Sequence, residues 1–182
     1  MKAVAYMDSL RHQRMTAQYS VGANKPFFGL LPESISHEGY SAKPMHSYWD
    51  DFFALRGFKD AAFIAKELGK PEATAYAAMR NSFRANLFES IRQVVIARKI
   101  DFIPGSVELA DFDPTSTTIA VSPGGEAGRL PGPLRCLSAL SGRPSRRRQC
   151  DAVATVRHRE RARRTRVVGD VRLRGVRVGT TN

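Results

Sequence analysis

An all-α fold over residues 1–123, followed by a disordered arginine-rich tail over 124–182, is what this sequence predicts. Three observations carry the expectation. Apolar residues between Tyr76 and Val94 recur every three or four positions. Glycine and proline punctuate the chain where helices would stop and start. Past Pro123 the composition changes abruptly.

Taken in order, residues 1–18 offer a modest helical stripe through Val4, Met7, Leu10 or Arg11, and Met15. Tyr19 to Met45 reads as a long loop rich in Gly, Pro and Ser. Phe27-Phe28 and Leu30-Leu31 predict that it is packed down on the core. From His46 the pattern turns helical: Trp49, Phe52, Phe53 and Leu55 precede a stop expected at Gly57. Ala62, Phe63, Ala65 and Leu68 then lead to a second stop at Gly69. Pro71 suits the first position of the next helix. Its stripe is Tyr76, Met79, Phe83, Leu87, Ile91 and Val94, with Arg80, Arg84, Glu89 and Arg92 off the line, and it runs to about Arg98. The expected unit is a helical hairpin of 46–68 against 71–98. After a loop at 101–106, Asp113-Pro114 reads as an N-cap followed by proline at the first helical position. The β-branched run from Thr115 to Val121 keeps a strand as the rival there.

The tail is a different material. Of the net charge of +12, residues 1–123 hold 14 cations against 13 acids, a net of +1. Residues 124–182 hold 15 Arg against Glu126, Asp151, Glu160 and Asp170, a net of +11. Every Phe, Tyr, Trp, Met and Ile lies at or before Ile119, so burial in the tail has only Val, Leu and Ala to draw on. Lys, Ile, Phe, Tyr and Met, whose codons all begin with two A or T bases, disappear together while Arg, Gly, Ala, Pro and Val persist. A GC-rich gene read out of register gives that pattern, so the tail is expected to be a frame-shifted translation from about Gly124 onward. Cys136 and Cys150 fit no zinc spacing and read as incidental thiols. No apolar run is long enough to span a bilayer, and Asp8 interrupts any signal-peptide core. Neither metal nor cofactor is expected.

Chemistry could sit in two clusters. The first is His37-Glu38-Gly39-Tyr40, then Met45-His46-Ser47-Tyr48-Trp49-Asp50-Asp51-Phe52-Phe53. Aromatic faces stack on pyranose rings, and carboxylates accept hydrogen bonds from hydroxyls. The same letters also read as core aromatics and as acids placed in a helix's first turn by its dipole. The second is Glu108-Leu109-Ala110-Asp111-Phe112-Asp113, three carboxylates that could supply a general acid or could be a solvated turn.

The stretch Gly29-Leu30-Leu31-Pro32, the loop to Tyr40, and Tyr48-Trp49-Asp50-Asp51-Phe52-Phe53-Ala54-Leu55-Arg56-Gly57 resemble the six-hairpin glycosidases. These are (α/α)6 toroids that include glucoamylase, trehalase and rhamnosidase-type enzymes. Ile103 to Thr117 resembles a loop-to-helix entry in bacterial members. The resemblance spans about residues 1–123 and implies a partial toroid of helical hairpins. It implies Trp49 and Asp50 at the sugar site; from the two clusters themselves, Tyr48, Asp51 and Glu38 are the further binding candidates and Glu108 and Asp111 the catalytic ones. The expected partner is an oligosaccharide or glycoside. Because the chain supplies fewer hairpins than a toroid requires, a fragment inactive on its own is expected. The alternative is a small basic protein that binds nucleic acid non-specifically through Arg146-Arg147-Arg148 and Arg161-Ala162-Arg163-Arg164, although that tail lacks stacking aromatics. No membrane partner is expected.

Overall fold

The computed structural model describes residues 2–37, 39–126 and 129–130. Within them the protein is all-α: α1 (Lys2–His12), α2 (Ala17–Ser20), a 3-10 helix (Gly22–Phe27), α3 (Tyr48–Glu67), α4 (Ala73–Arg98) and α5 (Pro114–Val121). Extended backbone among the described residues is limited to isolated bridges, Ser34 with Met45, Ser47 with Ser106 and Pro104 with Phe112. No helix among the described residues is long and apolar enough to cross a membrane.

The hairpin of α3 and α4 is the centre of the fold, and its apolar stripe goes where the periodicity predicts. Tyr76, Phe83, Leu87, Ile91 and Val94 of α4 are buried, facing Phe52, Leu55, Phe58, Ala61, Ala62 and Ala65 of α3. Phe58 meets Phe83 with ring centroids 5.4 Å apart, and the buried hydroxyls of Tyr48 and Ser90 share a 2.7 Å hydrogen bond across the hairpin. Burying one such aromatic contributes roughly 2–3 kcal/mol, so this seam carries much of the stability. α5 and α1 pack on other faces of α3.

The stop at Gly69 is real. Its φ of +59° is the left-handed turn that glycine tolerates best, with Lys70 N donating to Ala65 O at 2.8 Å and Gly69 N to Lys66 O at 3.0 Å. α4 ends the same way without glycine: Lys99 takes φ +53°, and Ile100 N donates to Val95 O at 3.2 Å. The stop expected at Gly57 is absent, because α3 runs through it. A Cβ there would sit 3.2 Å from Met7 Cε, so the bare position is where α1 seats on α3. Burial on both sides of Gly57 overrides its weak helix propensity. Pro71 falls in a turn two residues ahead of α4 rather than at its first position.

Residues 114–121 are helical, not a strand. Asp113 caps them, its carboxylate accepting from Thr115 N and from Ser116 Oγ, each at 2.8 Å. In α1 Val4 of the stripe is buried, and of the pair Leu10 and Arg11 it is Arg11 that is buried. Arg11 lies over the Phe83 ring, 5.6 Å from its centroid, and donates to Ser82 Oγ at 2.8 Å. The expected loop of 19–45 contains the 3-10 helix and is packed down, with Leu30 fully buried.

The packed region does not end where the composition changes. Gly124, Gly125 and Glu126 donate backbone N–H groups to Ile119, Val121 and Ala120 of α5, and Glu126 and Leu130 are fully buried. Residues 131–182, and with them both cysteines and nearly all of the tail, lie outside the described residues.

Candidate functional site

Two extended segments hold the start of α3. Ser34 and Met45 exchange backbone hydrogen bonds on one side. On the other, Tyr48 N donates to Gly105 O and Val107 N to His46 O, each at 3.0 Å. Ser47 occupies the N-cap, but its hydroxyl is 2.8 Å from Ser36 Oγ instead of on a helix N–H. These links bring the two acid-rich clusters, more than fifty residues apart in sequence, against one another.

The predicted site residues separate into three environments. Tyr48 and Asp51 are interior. Tyr48 is tied to Ser90, and burial raises its hydroxyl pKa well above the usual range. Asp51 accepts from Leu31 N at 3.0 Å, its second oxygen has no partner among the described residues, and burial pushes its carboxyl far up. Trp49 is half-buried, stacked on His37 at 5.3 Å and packed on Phe53 at 4.4 Å. Asp50 is on the surface side, accepting from the hydroxyls of Ser34 and Ser36. Glu38 lies outside the described residues.

Glu108 and Asp111 hold loops. Glu108 accepts from His46 Nδ1 at 2.7 Å and from the His46 backbone N–H. Arg14 Nε donates to the other ring nitrogen at 3.0 Å, which places the imidazole proton on Nδ1. Burial alone would raise the Glu108 carboxyl, but the interactions with His46 and a backbone hydrogen bond together outweigh it and hold the group below the ordinary glutamate range. Asp111 accepts from Ser106 Oγ at 3.1 Å and lies at the limit of hydrogen bonding to Tyr40. Burial, with the charges of Asp111 and Asp113 added, pushes the Tyr40 hydroxyl up to about 12. Asp113 lies 3.6 Å from His37 Nε2; its donors Ser116 and Thr115 overcome burial and keep it below the usual aspartate range.

One cleft draws on this region. About 590 Å3 in volume, it lies among α1, residues 31–36 and the first turns of α3. Met7, Leu10, Leu31 and Phe53 form its apolar walls, and Asp50, Glu33, Ser34 and Ser36 its polar edge. Its size is that of an ordinary small-ligand site. Glu33 is paired with Arg14; burial would raise its carboxyl, but a backbone hydrogen bond, the nearby His46 and Arg14 together keep it below the usual range. Of the seven residues the sequence singled out, Asp50 alone lines this cleft, while Trp49 supports Phe53 from behind. Glu33, Ser34 and Ser36 were missed, and Phe53 belonged to the first cluster without being singled out from it. Phe53 stood inside the aromatic run, but nothing in the letters distinguishes its exposed face from the buried Phe52 beside it.

The arrangement can accept hydrogen bonds from a ligand's hydroxyls along one edge and cover an apolar face with Phe53 along the other. Among the described residues no group of His, Cys, Asp or Glu is placed to hold a metal ion. No family model, no curated protein and no solved structure matches this chain.

Proposed function

We propose that the helical unit is part of a carbohydrate-recognising domain of the six-hairpin glycosidase type, and that the cleft beside Asp50 holds a sugar residue without hydrolysing it. The observation that carries this reading is the pairing, in one cleft, of the exposed ring of Phe53 with the acceptors Asp50 and Glu33. A pyranose presents a C–H face to the ring and hydroxyls to the carboxylates.

Binding without turnover follows from the carboxyl chemistry. Glycoside cleavage requires one carboxyl that is protonated and faces the bond, and a second that is ionised. Glu33 has its carboxyl held below the usual range, which favours the ionised form, and the carboxyl that burial pushes up, Asp51, is sealed in the core. Glu108 and Asp111 line no part of the cleft. In this reading they position the loops that carry Ser47 and Tyr40.

The test is titration of the protein with neutral mono- and disaccharides, followed by NMR on Phe53 and neighbouring methyls. We expect millimolar binding that weakens about tenfold in Asp50→Asn, a loss of about 1.4 kcal/mol, with a similar loss in Phe53→Ala. Saccharide binding that both substitutions leave intact would sink the reading. The alternative of nucleic-acid binding through the arginines beyond 124 rests on composition alone.

A further inference from the structure

A second cleft, separate from the first in its lining, opens between α3 and α4 and has a volume of about 560 Å3. Arg56, Lys59, Arg80, Arg84 and Arg129 line it, with Asp60, Asn81 and Phe63. The carboxylate of Glu126 is buried beneath. Lys59 Nζ reaches its Oε1 at 2.8 Å, and Arg84 engages it with two nitrogens, at 2.9 and 3.0 Å. Counting Asp60 and Glu126 against the five cations leaves a local charge of +3.

Structural roles account for part of this charge and not the rest. Lys59 and Arg84 neutralise Glu126. Arg56 pairs with Asp60 at 2.7 Å and donates to Pro123 O. Arg80 and Arg129 face no carboxylate within ion-pair distance among the described residues; Arg80 Nε donates only to Asn81 Oδ1 at 3.0 Å. Two further guanidiniums added to a network that already carries a net charge of +1 are repelled by it, and an anion bound between them removes that repulsion. Guanidinium forks match the oxygens of a phosphate two at a time. Phe63, 63 % exposed, stands at the same cleft and offers a flat apolar face.

We propose that this cleft binds a phosphorylated small molecule, its phosphate between Arg80 and Arg129 and its organic part on Phe63. The volume accommodates a ring with one or two phosphates. The site is independent of the sugar reading, because the two clefts share no lining residue.

Calorimetric titration of the full chain with pyrophosphate and with phenyl phosphate, at about 0.15 M salt to screen exposed charges, tests it. Arginines elsewhere in the chain also attract anions, so the informative comparison is with the Arg80→Gln/Arg129→Gln double variant. These two residues hold no ion pair among the described residues, and the variant's melting temperature should not fall, since the change also relieves repulsion among the cations. We expect both probes to bind the parent at one site and to lose about tenfold or more in affinity in the double variant, equivalent to about 1.4 kcal/mol. Phe63→Ala should weaken phenyl phosphate and leave pyrophosphate unaffected. No heat with the parent, or equal affinity in parent and double variant, overturns the proposal. So does a DNA duplex that loses affinity in the double variant while neither small probe binds the parent, which would assign the cleft to a nucleic-acid backbone.

Discussion

Two clefts of similar size open on the same helix, and they are chemical opposites. The one at the start of α3 has an apolar wall edged by carboxylates and hydroxyls. The one further along, toward α4, is built of guanidiniums over a buried glutamate. Their buried carboxyls are opposites too. Asp51 has one N–H donor and no cation, whereas Glu126 has two cations and three hydrogen bonds from them. The contrast teaches that burial alone does not decide what a carboxyl does; the partners do. Without a cation the interior favours the neutral acid. With a guanidinium fork and an ammonium, a fully buried carboxylate becomes a cross-link between elements.

The largest expected effect breaks that cross-link. Glu126→Ala leaves Lys59 and Arg84 facing each other, both partly shielded from water. Removing one partner of a buried ion pair costs on the order of 3 kcal/mol, and urea unfolding of the parent and the variant reads the loss directly. A change under about 1 kcal/mol would mean that the region after Pro123 contributes little to the folded unit. It would also leave the basic cleft without its floor.

A smaller effect, and one with a sign, comes from Asp51. Burial raises its folded-state pKa above the unfolded value, so the folded protein retains a proton that the unfolded chain releases. Stability from this group is therefore full below the unfolded aspartate pKa and falls as pH rises toward the folded value, by at most about 1.4 kcal/mol per pH unit. Asp51→Asn keeps the acceptor for Leu31 N and cannot ionise. The variant should gain on the parent as pH goes from 4 to 7 in parallel denaturant titrations. A gap that stays constant across that range would show Asp51 ionised in the fold and make it resemble Glu126 after all.

Much of this fold was legible in the sequence because its causes are local. The α4 stripe, the left-handed stop at Gly69 and the Asp113 cap each depend on residues within one or two turns. The errors arose where a distant partner decided. Gly57 looked like a stop until Met7 of α1 filled the space over it. Leu10 looked as good a core residue as Arg11 until Phe83 supplied a ring for the guanidinium. The candidate site was less legible for the same reason. His46 and Glu108 are 62 positions apart, and only the folded backbone reveals that Glu108 is committed to His46. Of the two carboxylates lining the cleft, Glu33 stood outside both acid-rich clusters. Composition placed the break at 123 because Arg, Gly and Pro dominate the residues beyond it, yet Glu126 and Leu130 are buried in the helical unit. A residue count cannot register one glutamate that meets two cations.

The smallest expected effect bears on the sugar-type cleft, because Met7 forms part of its wall. Replacing Gly57 with Ala removes backbone freedom from the unfolded chain and improves helix propensity by up to about 1 kcal/mol. Against this, the new Cβ would lie 3.2 Å from Met7 Cε and 3.5 Å from its sulfur. The neighbour is the end of an unbranched, flexible side chain that can turn aside without moving backbone. We therefore expect Gly57→Ala to be stabilising by about 0.5 kcal/mol, with Met7 displaced toward the cleft and saccharide binding reduced. That combination would mean that α1 rests on α3 through an adaptable contact and that the cleft's wall can be adjusted from behind. Destabilisation by about 1 kcal/mol or more in urea titration would mean instead that Met7 is fixed by its surroundings. The apolar cleft would then be as rigidly built as its basic counterpart.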